Sequence, residues 1–429
     1  IKIINKNKLM SNNLPSSRSN NEISKIEWDN FTRHPKDYDV YRTCLGQKIS
    51  ILKHNEIAFA KNLDGSVDYS KKINFDDLKL DLKDSGFKIS DSDFASIMAS
   101  DRIEKIDSLT IFYNQLKNNP WDCKERINDL VSAANLEGDY DTNFYLIKKW
   151  LCTTYAYAFR GIDPLSPETV YSRVVFILYS DKRGLGKTEF FRKLGLSGEI
   201  EKAIGVSGAE IYAETPGEIP KDERNFAIDR NTKMLYVFDD INNLLIKGEG
   251  TLRSIISQEN FTQRALYTNS NQNFKKRSTF AGTTNYSDLL RNETENRYML
   301  FTVTDIMDFD KLNSIDYLQL WSQIREEVVI KQDKVSFNSE DLGLIESLSK
   351  SYVYHDPAED TLNNALVFKM EGMLSFSSIS KELKENYSLN LNTQKLGSLL
   401  KRVFKPEGVD LIYKKGDQRF YRLEWRNNI

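Results

Sequence analysis

A short apolar run that leads into a glycine-rich turn constrains the fold of this chain more than any other feature. Residues 174–179 read VVFILY, an all-apolar segment with several β-branched residues and polar residues on both sides. Such a run is typical of a strand buried on both faces of a parallel sheet. The turn SDKRGLG follows, and KTEFFRKLG then continues with a helical pattern. A buried strand, a glycine turn and a helix together predict an α/β fold.

The turn itself fits most of a phosphate-binding loop of the form G-x-x-x-x-G-K-[ST]. Gly184 and Gly186 supply permissive backbone before Lys187 and Thr188, while Asp181 stands where the first glycine belongs. We expect Asp181 to take the geometry of that glycine, because aspartate tolerates positive φ better than most residues. The alternative is an ordinary surface turn. The residues predicted to contact ATP are Asp181, Arg183, Gly184, Leu185, Gly186, Lys187, Thr188 and Glu189.

Two later strands would end beside this loop. MLYVFDD places Asp239 and Asp240 after an apolar run, and AGTTN brings Asn285 to the end of a third strand. Acids at such a place can hold Mg²⁺ and polarise water, together with the Thr188 hydroxyl, and a polar side chain can order the attacking water. The pattern does not decide which acid binds the metal, and either could be a solvated residue at a strand end. The predicted catalytic residues are Lys187, Asp239, Asp240, Asn285 and Arg297.

Strands alternate with helices over the middle of the chain, which predicts a mainly parallel sheet. The predicted regions are a flexible tail at 1–26, a small accessory domain at 27–104, a helical region at 105–164, a P-loop ATPase core at 165–335 and a winged-helix-like domain at 340–429. The tail is rich in Asn, Ser and Lys, a composition that buries too little apolar surface to fold.

The C-terminal region carries basic residues on a predicted helix and on a predicted hairpin. NTQKLGSLLKRVFK and KKGDQRFYR are the two segments, and a helix with a basic wing is how winged helix-turn-helix domains meet duplex DNA. A solvated basic face is the alternative. The candidate DNA-binding residues are Lys395, Lys401, Arg402, Lys414, Lys415 and Arg419, with Lys405 and Arg422 nearby.

Composition sets limits on location and partners. The 429 residues include 60 basic and 62 acidic ones, so affinity for nucleic acid would have to come from local patches. Three scattered cysteines predict a reducing compartment, and the absence of a long apolar run predicts a cytoplasmic protein without membrane contact. The first residue is Ile1 rather than Met, which leaves open that further residues precede it.

Several motifs together resemble the virulence-associated E family of phage, satellite and mobile-element proteins. They are WDCKERI at 121–127, the GLGKT loop, the stretch from TQRALY to KKRSTFAGTTN, and NETENRYML. The resemblance covers roughly residues 105–305. It implies a superfamily-three-type, AAA+-related helicase core, a ring-forming ATPase that acts in replication of mobile DNA.

The resemblance also assigns single positions. Trp121, Asp122 and Arg126 match a tryptophan-aspartate-glycine motif and its downstream arginine, and Cys123 replaces the glycine. We expect Trp121 to be a buried packing residue, since large aromatic side chains dominate cores.

The remaining matches lie near the third strand. Arg264 and Arg277 fall on arginine positions of the family, where they would contact a neighbouring subunit's nucleotide or DNA phosphate, or else be plain surface charges. Thr283 and Thr284 precede Asn285 in its threonine-threonine-asparagine motif. Arg297 matches the first of two arginines, a candidate finger acting on a neighbour's nucleotide, and Tyr298 replaces the second.

The sequence thus predicts an ATP-dependent DNA helicase or DNA-remodelling motor, with single-stranded DNA in the channel of a homo-oligomeric ring. One alternative is an origin-binding initiator ATPase that opens DNA without translocation. Another is a degenerate nucleotide-binding scaffold or anti-phage regulator.

Overall fold

A computed structural model describes residues 49–52, 57–62, 64, 67–84, 89–100, 103–264, 271–290, 296–331, 335–353, 357–406 and 408–426. The chain divides into two compact units, one formed by the residues up to 285 with 296–345, the other by 286–295 with 346–429. The predicted tail and residues 27–48 of the predicted accessory domain lie outside the described residues. No helix within the described ranges has the length and apolarity needed to cross a bilayer.

The first unit begins with a small mixed sheet and two helices. Its elements are β1 (Ile49–Leu52), β2 (Ile57–Lys61), β3 (Val67–Asn74), α1 (Phe75–Asp84), α2 (Asp91–Met98) and β4 (Lys105–Ile106). The strand order is β3-β2-β1-β4, with β1 antiparallel to β2 and parallel to β4. Ile49, Leu78 and Phe94 belong to its apolar core.

A five-stranded sheet forms the centre of the first unit. Its strands are β5 (Val175–Tyr179), β6 (Tyr212–Pro216), β7 (Leu235–Asp239), β10 (Thr279–Thr284) and β11 (Tyr298–Thr302). The order is β11-β5-β10-β7-β6, and all adjacent strands are parallel. The predicted α/β class with a mainly parallel sheet is therefore confirmed. A short antiparallel hairpin of β8 (Asn260–Arg264) and β9 (Asn271–Lys275) precedes β10, and neither it nor β6 was predicted.

Helices surround this sheet. They are α3 (Ser108–Asn118), α4 (Arg126–Ala133), α5 (Tyr140–Ala158), α6 (Lys187–Leu196), α7 (Gly198–Ile204), α8 (Glu223–Thr232), α9 (Asn242–Lys247), α10 (Glu249–Ser257), α11 (Phe309–Ser314), α12 (Tyr317–Arg325) and α13 (Ser339–Ser349), with a π-helical turn at Glu326–Ile330. Phe176 of β5 makes edge-to-face contacts with Trp150 of α5 and Phe191 of α6, at centroid distances of 5.1 and 5.2 Å. The apolar run that predicted β5 is thus buried because helices cover it.

The second unit follows a helix, strand, two-helix and hairpin order. Its elements are α14 (Pro357–Ala365), β12 (Leu366–Phe368), β13 (Leu374–Ser375), α15 (Phe376–Asn386), α16 (Thr393–Val403), β14 (Ile412–Lys415), β15 (Gln418–Tyr421) and β16 (Leu423–Trp425). β15 lies between β13 and β14, and β12 pairs with β16. Leu362, Leu400 and Leu423 lie in its core.

A buried ion pair joins α5 to α13 within the first unit. Lys149 Nζ lies 2.6 Å from Asp341 Oδ2, and the two side chains are 5% and 2% exposed. The Tyr145 hydroxyl donates to Asp341 Oδ1 at 2.7 Å, and the Asn338 amide donates to Oδ2 at 2.7 Å. Lys149 and Asp341 are both buried and neutralise each other. Removal of one charge therefore leaves the other buried without compensation.

We expect Lys149→Met to lower the free energy of unfolding by about 3–5 kcal/mol, because it leaves a buried aspartate uncompensated. The double variant Lys149→Met/Asp341→Asn should recover most of this loss, since the amide oxygen still accepts hydrogen bonds. Lys71→Met, which breaks a surface pair with Asp68, is the control and should cost less than about 1 kcal/mol. Urea denaturation measures all three, and equal losses for Lys149→Met and Lys71→Met would contradict the argument.

Candidate nucleotide-binding site

The predicted phosphate loop connects β5 to α6 at the carboxyl edge of the parallel sheet. Gly184 and Gly186 have φ of 78° and 100°, the left-handed region that glycine adopts without strain. The expectation that Asp181 draws on a tolerance for positive φ is wrong, because Asp181 is not among the residues with positive φ. Gly184 and Gly186 therefore supply the left-handed conformations that the turn requires. The first position carries no such demand, which is why aspartate can stand there.

The other predicted contact residues of the loop differ in their exposure to solvent. Asp181, Arg183 and Gly184 are exposed, whereas Leu185 is buried and its carbonyl accepts a hydrogen bond from the Met307 amide at 3.0 Å. Glu189, in the first turn of α6, pairs with Lys193 at 3.7 Å. Leu185 thus anchors the loop, and the exposed members can face a ligand.

Lys187 begins α6 and is held at the loop by polar contacts. Its Nζ donates to Asn285 Oδ1 at 2.7 Å and to the Lys182 carbonyl at 3.2 Å. Burial lowers the pKa of Lys187, and the nearby carboxylates of Asp239, Asp240 and Asp181 oppose that shift. The structure therefore brings the predicted lysine and asparagine together, from α6 and from the end of β10.

A second set of contacts converges on one carboxylate oxygen at the end of β7. The Thr188 hydroxyl donates to Asp239 Oδ1 at 2.7 Å, and the Thr283 hydroxyl donates to the same oxygen at 2.6 Å. Asp239 is therefore joined to α6 and to β10 at once. Sequence reasoning gave Thr283 no role of its own. The available signal was its position two residues before Asn285, because side chains two apart in an extended segment point to the same side.

The chain turns sharply immediately after Asp239. Asp240 has a φ of 59°, and the Gly217 amide donates to the Asp239 carbonyl at 2.6 Å. A Cβ on Gly217 would lie 1.9 Å from the Asp240 carbonyl oxygen, so only glycine fits there. A cavity of about 320 Å³ opens beside this turn, lined by both aspartates and by Glu214, Glu218 and Asn243 among others. Sequence reasoning missed Gly217, because its constraint comes from a strand that is distant in the sequence.

The chemistry of these groups fits a magnesium ion. Mg²⁺ takes oxygen ligands and is commonly bound through one or two carboxylates with the remaining positions left to water and phosphate. Thr188 and Asp239 provide a hydroxyl and a carboxylate that are already in contact. Among the described residues no cluster of three or more His, Cys, Asp or Glu side chains could hold a metal.

Two of the three candidate arginines, Arg297 and Arg277, precede strands at the amino end of the sheet. Arg297 immediately precedes β11, and its carbonyl accepts from the Val175 amide at 2.7 Å, at the amino end of β5. Arg277 forms an ion pair with Asp107, which caps α3. Arg264 ends β8, and its side chain lies outside the described residues. Tyr298, which replaces the family's second arginine, is fully buried in β11.

The tryptophan motif forms a turn that is clamped to α12. Trp121 is only partly buried, so the expectation of a core residue is wrong: its indole donates to the Lys124 carbonyl at 2.8 Å and lies under Lys331. Asp122 binds Arg126, and Cys123 has a φ of 66°. The left-handed backbone at Cys123 explains physically why a glycine suits that position.

The fold and the site define an α/β protein whose parallel sheet brings a glycine-turn lysine, two acids and an asparagine to one edge. The chain belongs to the virulence-associated protein E-like family, whose domain description matches residues 116–353. Among solved structures it is similar to the A form apo structure of the NrS-1 C-terminal region, with a TM-score of 0.44, 12% identity and coverage of 90% of this chain and 97% of that one. A second apo structure of that region has a TM-score of 0.41 and 10% identity over 91% of this chain and 98% of that one. No curated protein matches the chain.

We expect Gly217→Ala to destabilise the protein by about 1–3 kcal/mol, because the new methyl group meets the backbone of Asp240 and β6 must move away from β7. Gly250→Ala in α10 is the control: its Cβ would meet open space, and alanine should stabilise that helix by about 0.5–1 kcal/mol. Thermal unfolding of the two variants tests this. A Gly217→Ala protein as stable as the wild type would show that the β6–β7 end is not tightly constrained.

Proposed function

We propose that this protein is an ATP-hydrolysing motor that acts on DNA in the replication of a phage or mobile element. The observation that carries the proposal is the meeting of Lys187, Asn285, Thr188 and Asp239 at one edge of the sheet, within hydrogen-bond distance of one another in pairs. Membership of the virulence-associated protein E-like family supports the mobile-element setting.

The site lies where ligands of open α/β sheets are expected. After β5 the chain crosses to β6, the outermost strand on one side of the sheet. It then returns strand by strand through β7 and β10, and finally crosses β5 to form β11 on the other side. The connections that leave the adjacent strands β5 and β10 therefore run in opposite directions along the sheet. Ligands in such sheets bind outside the carboxyl ends of the strands at a reversal of this kind. The loop after β5, with the amino end of α6 beneath it, is suited to phosphate because its amides and the helix dipole favour negative charge.

Each polar group then has a distinct task. Lys187 would leave its carbonyl partners for the β- and γ-phosphates, while Asn285 orders the attacking water. Thr188 and Asp239 would hold Mg²⁺, which when bound neutralises developing charge on the phosphates. Asp239 and Asp240 both line the cavity, and we assign the second of them, Asp240, to polarising water. The contacts of Asp239 with Thr188 and Thr283 thus favour Asp239 over Asp240 as the metal ligand.

We expect Lys187→Ala to abolish ATP hydrolysis, because the lysine is the cation that the loop directs at the phosphates. Asp239→Asn should remove most of the dependence of ADP affinity on Mg²⁺, whereas Asp240→Asn should keep that dependence and lose turnover. Phosphate release and nucleotide titrations measure these outcomes, and Asp288→Asn, at a described position in the other unit, is the control. Wild-type turnover in Lys187→Ala would contradict the site assignment.

Arg297 cannot reach the loop of its own chain from where it lies. It precedes the first residue of β11, which pairs with Val175, whereas the loop follows Tyr179, about 13 Å further along the strand. Its proposed role as a finger therefore requires a neighbouring subunit, and the motor is proposed to be a homo-oligomeric ring. Arg277, the other candidate on this end of the sheet, forms an ion pair with Asp107.

Mixed rings test this role. We expect Arg297→Ala subunits mixed with Lys187→Ala subunits to regain hydrolysis that neither variant has alone, because some interfaces then combine an intact loop with an intact arginine. An arginine supplied in trans is worth about 10³–10⁵ in rate, so few such interfaces are needed. A mixed pull-down checks that the subunits exchange. Mixed but inactive rings would show that Arg297 is not a finger.

The second unit is proposed to bind duplex DNA as a winged helix. α14, β13, α15, α16 and the β14–β15 hairpin follow one another as such a module requires, with β13 paired to β15. The predicted contact residues are all exposed on α16 or the hairpin: Lys395, Lys401, Arg402, Lys414, Lys415 and Arg419. Arg402 also pairs with Glu359. Arg422 donates hydrogen bonds to the Met370 and Asp410 carbonyls.

Two other functions make different experimental demands. A scaffold or anti-phage regulator that lacks catalysis would bind nucleotide without DNA-stimulated turnover. An initiator would hydrolyse ATP and open DNA without processive unwinding. Lys187 lies beside Asn285 and Thr188 lies beside Asp239, so the groups that turnover would require are close together, and for this reason we favour the motor over the scaffold.

A further inference from the structure

Thr283 binds three consecutive residues at the end of β7. Its hydroxyl donates to Asp239 Oδ1 at 2.6 Å and accepts from the Asp240 amide at 3.2 Å. Its carbonyl accepts from the Ile241 amide at 2.8 Å. A hydroxyl has one proton to donate and two lone pairs, so its two bonds are compatible. Thr283 therefore caps the turn that follows β7.

These bonds take over where the regular pairing of the two strands stops. The β10–β7 ladder runs from Thr279 opposite Leu235 to Gly282 opposite Phe238. Beyond it Asp240 turns into the left-handed region, which costs energy for a residue other than glycine. The bond from the Asp240 amide to Thr283 stabilises this conformation, and it does so from a side chain that is only 4% exposed.

The Thr283 side chain orients the Asp239 carboxylate as well as stabilising the turn. Asp239 Oδ1 receives hydroxyl protons from Thr188 and from Thr283, so its orientation is fixed from two elements. Hydrogen bonds to a carboxylate are stronger than those between neutral groups, and they restrict the rotation of the side chain. Two residues further on, Asn285 accepts a hydrogen bond from the Lys187 ammonium group. The end of β10 thus orients both the acid and the lysine of the site.

We propose that Thr283 is a positioning residue that holds Asp239 ready for a divalent cation; this rests on the proposed function, because it assigns Asp239 to that cation. Without the hydroxyl, the Asp239 side chain retains Thr188 as a partner but loses its hydrogen bond to β10. Cation binding must then order the carboxylate, which weakens the contribution of Mg²⁺ to nucleotide affinity.

The test compares ADP affinity in Mg²⁺ with ADP affinity in EDTA, for the full chain, by calorimetry or with a fluorescent ADP analogue. Thr283→Val keeps the shape of the side chain and removes its hydrogen bonds. We expect it to lose about tenfold of the affinity in Mg²⁺, the scale of one hydrogen bond to a charged group, and less than about twofold in EDTA. Thr283→Ser restores the hydroxyl and should recover most of the loss.

Thr279→Val is the matched control, with the same substitution in the same strand. Thr279 is buried, and its hydroxyl lies 2.8 Å from that of Thr154 at the other end of β10. It should lower stability while leaving the gain from Mg²⁺ unchanged. If Thr283→Val does not fold, Thr283→Cys gives the same comparison, because a thiol is a similar size and a weak donor.

The outcomes separate this proposal from the one on which it rests. A Mg²⁺ gain in Thr283→Val equal to that of the wild type would overturn the role of Thr283 and leave the motor intact. Equal losses in Mg²⁺ and EDTA would show that Thr283 supports the fold alone. A wild-type protein that binds no ADP would overturn the proposed function itself.

Discussion

The candidate site depends on the parallel register of three strands more than on any single side chain. β5, β10 and β7 are adjacent and parallel, so their carboxyl ends meet at one edge. That alignment brings Lys187, which follows β5, to Asn285 at 2.7 Å, and it brings Asp239 to Thr283 at 2.6 Å. A shift of β10 by one residue would turn its polar side chains to the other face and separate both pairs.

Close backbone packing fixes the acidic end of this edge. Gly217 approaches the Asp240 carbonyl at a distance that no side chain tolerates, and Asp240 itself has positive φ. Local strain of this kind persists where surrounding contacts hold it, and it concentrates at functional sites. Here the amide and carbonyl bonds to Thr283 are the contacts that hold it. The geometry of the carboxylates is therefore a property of three strands together.

Under the proposed function, the carboxyl and amino ends of the strands in the central sheet have different roles. The carboxyl end holds Lys187, Asn285 and the Thr188 and Asp239 oxygens that are proposed to bind the metal, while Arg297 lies at the amino end of β11. If Arg297 acts on a neighbour's nucleotide as proposed, no single subunit would complete the site and hydrolysis would be controlled by assembly. This arrangement also suits a chain with nearly balanced charge, because a ring needs few basic residues per subunit to line a channel.

Local patterns in the sequence were enough to determine the apolar strands, the helix that begins at Lys187 and the α/β class. The reason is that the apolar character of a segment and its helical or strand periodicity depend only on neighbouring residues. They also placed Asp239 and Asn285 at strand ends. They could not show that Asp181 lacks positive φ, that Trp121 is partly exposed, or that β6 and the β8–β9 hairpin exist. The roles of Gly217 and Thr283, and the distinction between Asp239 and Asp240, were decided only by tertiary structure. Each arises from contacts between residues more than twenty positions apart, and only strand order and register bring such residues together.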